Sequence, residues 1–177
     1  MSVKQEANGR RSLQVEFEVP GTPEEVWQAI ATGPGISSWF VPAEIEERDG
    51  KPVAMKFKFG GMEARAALTA WDPPRMFAGQ GEVYGGSPPI ATEWSVEARA
   101  GGMCLVRIVH SLFASTDEWD DQLEGAKSGW SGFLAILRIY LTHFRGQRSA
   151  IMQVTAPAAG TDAAALEALT AALGVKG

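Results

Sequence analysis

Between residues 43 and 112 apolar and polar side chains alternate with a period of two. The alternation is cut at short intervals by Asp49-Gly50, Gly60-Gly61, Asp72-Pro73-Pro74, Gly85-Gly86 and Gly101-Gly102. Asp-Gly and paired glycines supply the positive φ angles that tight hairpins require. Strands are therefore predicted over 43–48, 53–59, 62–71, 75–82, 90–99 and 103–112. Parallel neighbours need a crossover of about a dozen residues or more, and no connection here is that long. The simplest topology is therefore an antiparallel meander.

The flanking segments add one strand and several helices. In SLQVEFEV (12–19), Leu13, Val15, Phe17 and Val19 face one way and Gln14, Glu16 and Glu18 the other, a strand with one wet face. Thr22 with Glu25 three residues on forms a capping box, and Pro23 suits the first helical position. Val26, Trp27 and Ile30 give that helix its inward face. Gly33, Pro34 and Gly35 end it, and ISSWF makes a second short helical turn that sends Trp39 and Phe40 inward. A second capping box, Ser115 with Glu118, opens the longest predicted helix, which runs to Phe144. Its stripe is Leu123, Trp130, Leu134, Leu137 and Leu141. Residues 149–155 (SAIMQVT) read as a strand, and DAAALEALTAALG as a short helix with an apolar face of Leu166, Leu169 and Leu173. The chain divides into a flexible N-terminus (1–11), a main domain (12–146) and a C-terminal extension (147–177).

Charge narrows the function. With 16 Lys+Arg against 21 Asp+Glu and a net charge of −5, no basic stripe offers a footprint for nucleic acid or an anionic membrane. The most apolar run, GWSGFLAILRIYLTHF (129–144), falls short of the ~18–20 residues of a membrane span. A lone cysteine, Cys104, suits a reducing compartment, and the first residues lack the apolar core of a signal peptide, so a cytoplasmic protein is expected. Two histidines 33 positions apart and one cysteine match no familiar zinc spacing, and no phosphate-binding or dinucleotide fingerprint occurs. No metal or cofactor is expected.

Four segments carry a family resemblance: TPEEVWQAIATGPGISSWF, ALTAWDPPRMFAGQGE, TEWSVEARAGGMCLVRIVHSLF and GWSGFLAIL. Together, in this order over about residues 12–145, they resemble the homologues of the activator of heat-shock-protein-90 ATPase. These are members of the START-like, helix-grip superfamily that also contains the birch-pollen-allergen fold. The resemblance implies an α+β fold with about seven antiparallel strands curved around a long C-terminal helix, and two short helices after the first strand. It also implies a cavity between sheet and helix suited to a small apolar or amphipathic ligand, and non-catalytic binding of a small hydrophobic or amphipathic molecule there is the function expected. Two other functions stand beside this one, a chaperone-partner interaction module and a cyclase- or hydrolase-like enzyme using His110. A homodimer through the extension is a further expectation.

The candidate ligand contacts follow from the faces. On 103–112, Cys104, Val106, Ile108, His110 and Leu112 point one way, which would bring Ile108 and His110 toward the cavity. There the imidazole can orient a polar ligand group, act as acid or base, or be satisfied by one backbone or hydroxyl partner. Trp94 shares a face with Thr92 and Val96, and Phe57 and Phe59 share one with Met55. Trp39, Leu68, Trp130, Phe133, Leu134 and Leu137 complete the set. Small inward residues such as Ala64 and Ala66 leave room. Gly125, Gly129 and Gly132 each cost the long helix about 1 kcal/mol relative to alanine, which either a nearby ligand or close backbone packing would explain.

Overall fold

A computed structural model describes residues 4–5, 10–82, 89–113, 120–152, 157–158 and 160–174, with side chains of residues 5, 113 and 120–128 left aside. Its strands are β1 (Lys4–Gln5), β2 (Arg10–Pro20), β3 (Ala43–Arg48), β4 (Lys51–Phe59), β5 (Met62–Asp72), β6 (Met76–Gly81), β7 (Ala91–Arg99) and β8 (Met103–Phe113). They form one sheet in the order β1-β2-β8-β7-β6-β5-β4-β3, with every pair antiparallel. The seven long strands make the expected curved sheet, and the two-residue β1 adds to its edge beside β2. Strand pairing thus begins before residue 12, because Lys4 and Gln5 pair with Ser12 and Arg11.

The turn chemistry works as the sequence predicts. Arg48 pairs with Lys51 across Asp49 and Gly50, whose φ angles of 52° and 72° are both positive. That is the requirement of a two-residue hairpin whose twist matches its strands. Gly60 and Gly61 do the same between Phe59 and Met62. Register shifts between Glu46 and Glu47 and between Leu68 and Ala70 bend the strands they interrupt.

Helix α1 (Pro23–Ala31) begins at the expected capping box. The Glu25 amide donates to Thr22 Oγ1 at 3.3 Å, and the Thr22 amide donates to Glu25 Oε2 at 2.8 Å. The second helix, α2 (Gly33–Ile36), starts earlier than the sequence suggests, because Thr32 caps it and Pro34 fits its first turn. Gly35 is needed here: a Cβ would lie 1.9 Å from the carbonyl oxygen of Gln28. Helix α3 (Asp120–Ile139) continues as a π-helical turn over Tyr140–Phe144. The Ser115–Glu118 capping box and the Gly85-Gly86 turn lie outside the described residues.

Leu134, Leu137, Tyr140 and Leu141 bury one stripe of this C-terminal helix in a core shared with Leu13, Val15 and Val19 of β2 and Val26 and Ile30 of α1. Arg145 then pairs with Glu25 and donates to the Leu141 carbonyl, tying the helix end to the start of α1. The hydrogen bond from the Thr22 backbone, and next the one from Arg145, hold the Glu25 carboxyl below the usual carboxylate range.

Two expectations need correction. Of the strand expected over 149–155, residues 153–155 lie outside the described residues and 149–152 form no strand: Ser149 donates to the Ser37 carbonyl at 3.2 Å, and Ile151 and Met152 are exposed. Gly129 and Gly132 do not mark close backbone packing, since both are exposed and an added Cβ would meet nothing within 4 Å. Helix α4 (Asp162–Leu173) forms as expected, with Leu166, Leu169 and Leu173 all exposed. Among the described residues no helix is long and apolar enough to cross a membrane.

Candidate ligand-binding cavity

A cavity of about 160 Å³ lies between the sheet and the C-terminal helix. Alternation along the strands decides what reaches it. Strand β4 sends in Met55, Phe57 and Phe59, and β5 contributes Ala66. Strand β6 contributes Phe77 and Gly79, and β7 contributes Thr92 and Trp94. On β8, Cys104, Val106 and Ile108 are fully buried in the core, and His110, next on that face, reaches the cavity wall. Ile30 of α1, Ile36 of α2 and the following Trp39 and Phe40 close one end, and Trp130 of α3 covers another side.

The wall is largely an aromatic cluster. Trp130 stands edge-on to Trp94, with centroids 5.1 Å apart, and stacks over the His110 ring at 5.6 Å. Phe40 lies 5.3 Å from Trp130 and 4.6 Å from Phe133. Phe77 stacks on Trp94 at 5.9 Å. Such pairs restrict one another's rotamers and keep the walls apart. The indole nitrogen of Trp39 donates to the Ala29 carbonyl at 2.9 Å, so its polar end is satisfied within the fold.

Among the described residues, His110 is the sole ionisable one on this wall. Its Nδ1 lies 2.9 Å from Thr92 Oγ1, directly across the β7–β8 ladder. The hydroxyl partner weighed in the sequence is thus present, and the ring still faces the cavity. Among the described residues, His110 Nε2 is the one buried side-chain nitrogen or oxygen without a hydrogen-bond partner. Burial pulls the imidazole from 6.5 down to about 4, so the ring is neutral near pH 7. Cys104 is inert by comparison: its thiol donates to the Gly21 carbonyl, and burial raises its pKa.

Of the residues singled out in the sequence, the cavity brings together Trp39, Phe57, Phe59, Trp94, His110 and Trp130. Ile108, Leu134 and Leu137 lie wholly in the core, while Leu68 and Phe133 pack against that core without lining the space. Phe40, Phe77, Gly79 and Thr92 line it and were missing from the candidate contacts. For Phe77 and Gly79 the signal was available, because they share one face of a short alternating strand.

A larger depression, about 750 Å³, lies between α2 and β3, but Thr32, Ser37, Glu44, Glu47 and Arg148 give it a polar, charged wall. Among the described residues it has no unpartnered buried side-chain atom comparable to His110 Nε2. Among the described residues, no three His, Cys, Asp or Glu side chains are grouped to hold a metal ion.

Residues 10–137 match the family model described as polyketide cyclase / dehydrase and lipid transport. Comparison with curated proteins finds no match. Among solved structures, the crystal structure of CalU16 from Micromonospora echinospora is 22% identical, with 80% of this chain and 83% of that one covered and a TM-score of 0.60. The solution structure of the Aha1 dimer from Colwellia psychrerythraea is 20% identical over 76% and 98% of the two chains, with a TM-score of 0.59. The crystal structure of Ara h 8.0201 is 17% identical over 76% and 99%, with a TM-score of 0.58. At these identities the likenesses show the fold, a helix-grip α+β architecture.

Proposed function

The chain belongs to the polyketide cyclase / dehydrase and lipid transport family, and we propose that it binds a small hydrophobic or amphipathic molecule between sheet and C-terminal helix without transforming it. The observation that carries this reading is the cavity itself, walled by aromatic side chains with one neutral histidine among them. An apolar pocket with a few placed polar groups is the usual form of a small-molecule site.

In this reading Trp39, Phe57, Phe59, Trp94, His110 and Trp130 touch the ligand. Phe133, Leu134, Leu137, Ile108 and Leu68 hold the wall from behind. A neutral imidazole beside an apolar ligand favours a hydrogen-bonding role over proton storage, which supports binding ahead of the cyclase-like alternative. The four sequence motifs support placing the chain among the homologues of the activator of heat-shock-protein-90 ATPase. A single buried thiol supports a cytoplasmic setting. The exposed leucine face of α4 supports a homodimer through the extension.

Native mass spectrometry of the protein purified gently from its own host tests the binding reading. A discrete mass above the denatured mass is expected, and Ala66→Phe, which fills the cavity from β5, should lose it. No excess mass, together with no rise in Tm across a panel of small aromatic molecules, would refute it.

A further inference from the structure

Resting on the reading of this cavity as a binding site, we propose that its ligand is a single-ring aromatic molecule carrying one oxygen acceptor, a ketone or phenol oxygen, held by His110 Nε2–H.

Size comes first. An engineered apolar cavity of about 150 Å³ takes up benzene, and this one measures about 160 Å³. One substituted ring fits such a space. Trp94 and Trp130 meet edge to face at its wall, and Phe40 and Phe77 extend that surface. The wall therefore offers both ring faces and ring edges, and an aromatic guest can use both geometries.

The tautomer of His110 decides the polar group. The Thr92 hydroxyl has one hydrogen bond among the described residues, the contact with Nδ1. If the hydroxyl donates to Nδ1, the ring proton sits on Nε2 and a single donor is left unpaired. If instead Nδ1–H donates to the hydroxyl oxygen, both the hydroxyl proton and the bare Nε2 lack partners. Fewer orphaned groups means less buried polarity to offset, so Nε2 carries the hydrogen. Trp130 covers one face of the ring and Thr92 holds its other nitrogen, leaving Nε2 as the free position. Nε2 is buried and unpartnered on a residue that lines this aromatic wall, so a small shift of the ring brings the orphan donor to an acceptor carried by the ligand. Among the described residues no cation lines the cavity, so against these walls a carboxylate would enter without a counter-charge.

Acetophenone and α-methylstyrene test this, because they share a shape and differ in C=O against C=CH2. Their affinities for the wild-type protein and for His110→Phe, measured by calorimetric titration, form a double cycle that cancels their different solubilities. The ketone-to-alkene affinity ratio should fall about tenfold or more in His110→Phe. In the wild type, the Nε2–H proton resonance should move well downfield on titration with acetophenone, whereas α-methylstyrene should give only the ring-current shift that both probes share. That second reading does not depend on how well the variant folds. Equal ratios in both proteins, or a resonance that moves no further with ketone bound than with alkene, overturn the inference and leave the cavity reading intact. If neither probe binds, the inference falls. The cavity reading falls with it only if native mass spectrometry also shows no bound species.

Discussion

Burying a neutral imidazole ties stability to pH in a way that can be worked from the structure. In the unfolded chain His110 takes a proton near 6.5, whereas in the fold burial holds the value at about 4. Above 6.5 the ring is neutral in both states and its effect is flat. Between 6.5 and 4 the unfolded chain binds a proton that the folded chain refuses, so stability falls with pH across this window. Below 4 both states are protonated and the effect is flat again. Linkage gives a loss of about 2 kcal/mol at pH 5 relative to pH 7.5, approaching about 3 kcal/mol at the bottom of the window. Among the described residues no charged side chain on the cavity wall compensates, since the ring faces Thr92 across the ladder and Trp130 from α3. The carboxylates add a background slope, which His110→Phe retains and which therefore subtracts out. Urea unfolding of both proteins at pH 7.5 and pH 5 gives the difference of differences, expected at about 2 kcal/mol, or roughly 4–8 °C in Tm for a chain of this size. Equal pH slopes in the two proteins, or a native-state His110 titration near 6.5 by NMR, would refute the account.

Gly132→Ala should raise stability by about 0.5–1 kcal/mol, because the helix gains a better former and the new Cβ meets open space; thermal unfolding checks this, and acetophenone affinity should not change. Leu137→Ala, deep in the shared core, should cost about 2–5 kcal/mol by urea unfolding, whereas the same measurement on Ile136→Ala, whose side chain is 45% exposed, should show a much smaller loss. By sedimentation, the wild-type chain should run as a dimer and Leu169→Glu as a monomer, which tests the extension as an interface.

Most of the architecture was legible because its determinants are local. Asp49-Gly50 and Gly60-Gly61 can form tight hairpins wherever the rest of the chain lies, and Thr22 with Glu25 caps α1 from within four residues. The sequence could not reveal that the period-two run SAIMQVT has no ladder to join among its described residues: alternation specifies a face to bury, and pairing needs a free edge nearby. The glycines of α3 misled for a related reason. Their helix cost is local and visible, but the open space beside Gly129 and Gly132 depends on what packs there.

The polar centre of the site sits between these cases. His110 was legible from alternation on β8, yet its partner was not drawn from the sequence, although the hairpin contains the information. Once Arg99 pairs with Met103 across the Gly101-Gly102 turn, counting back in step along both strands puts Thr92 opposite His110. The turn thus fixes the contact that holds Nδ1, and with it which ring nitrogen is left for a ligand. Phe77 had no such route. It meets Trp94 across the β6–β7 ladder, whose register is set by a longer connection rather than a tight turn. The specificity of this cavity therefore rests on a register encoded in two glycines, while much of its shape rests on aromatic packing that only the assembled fold displays.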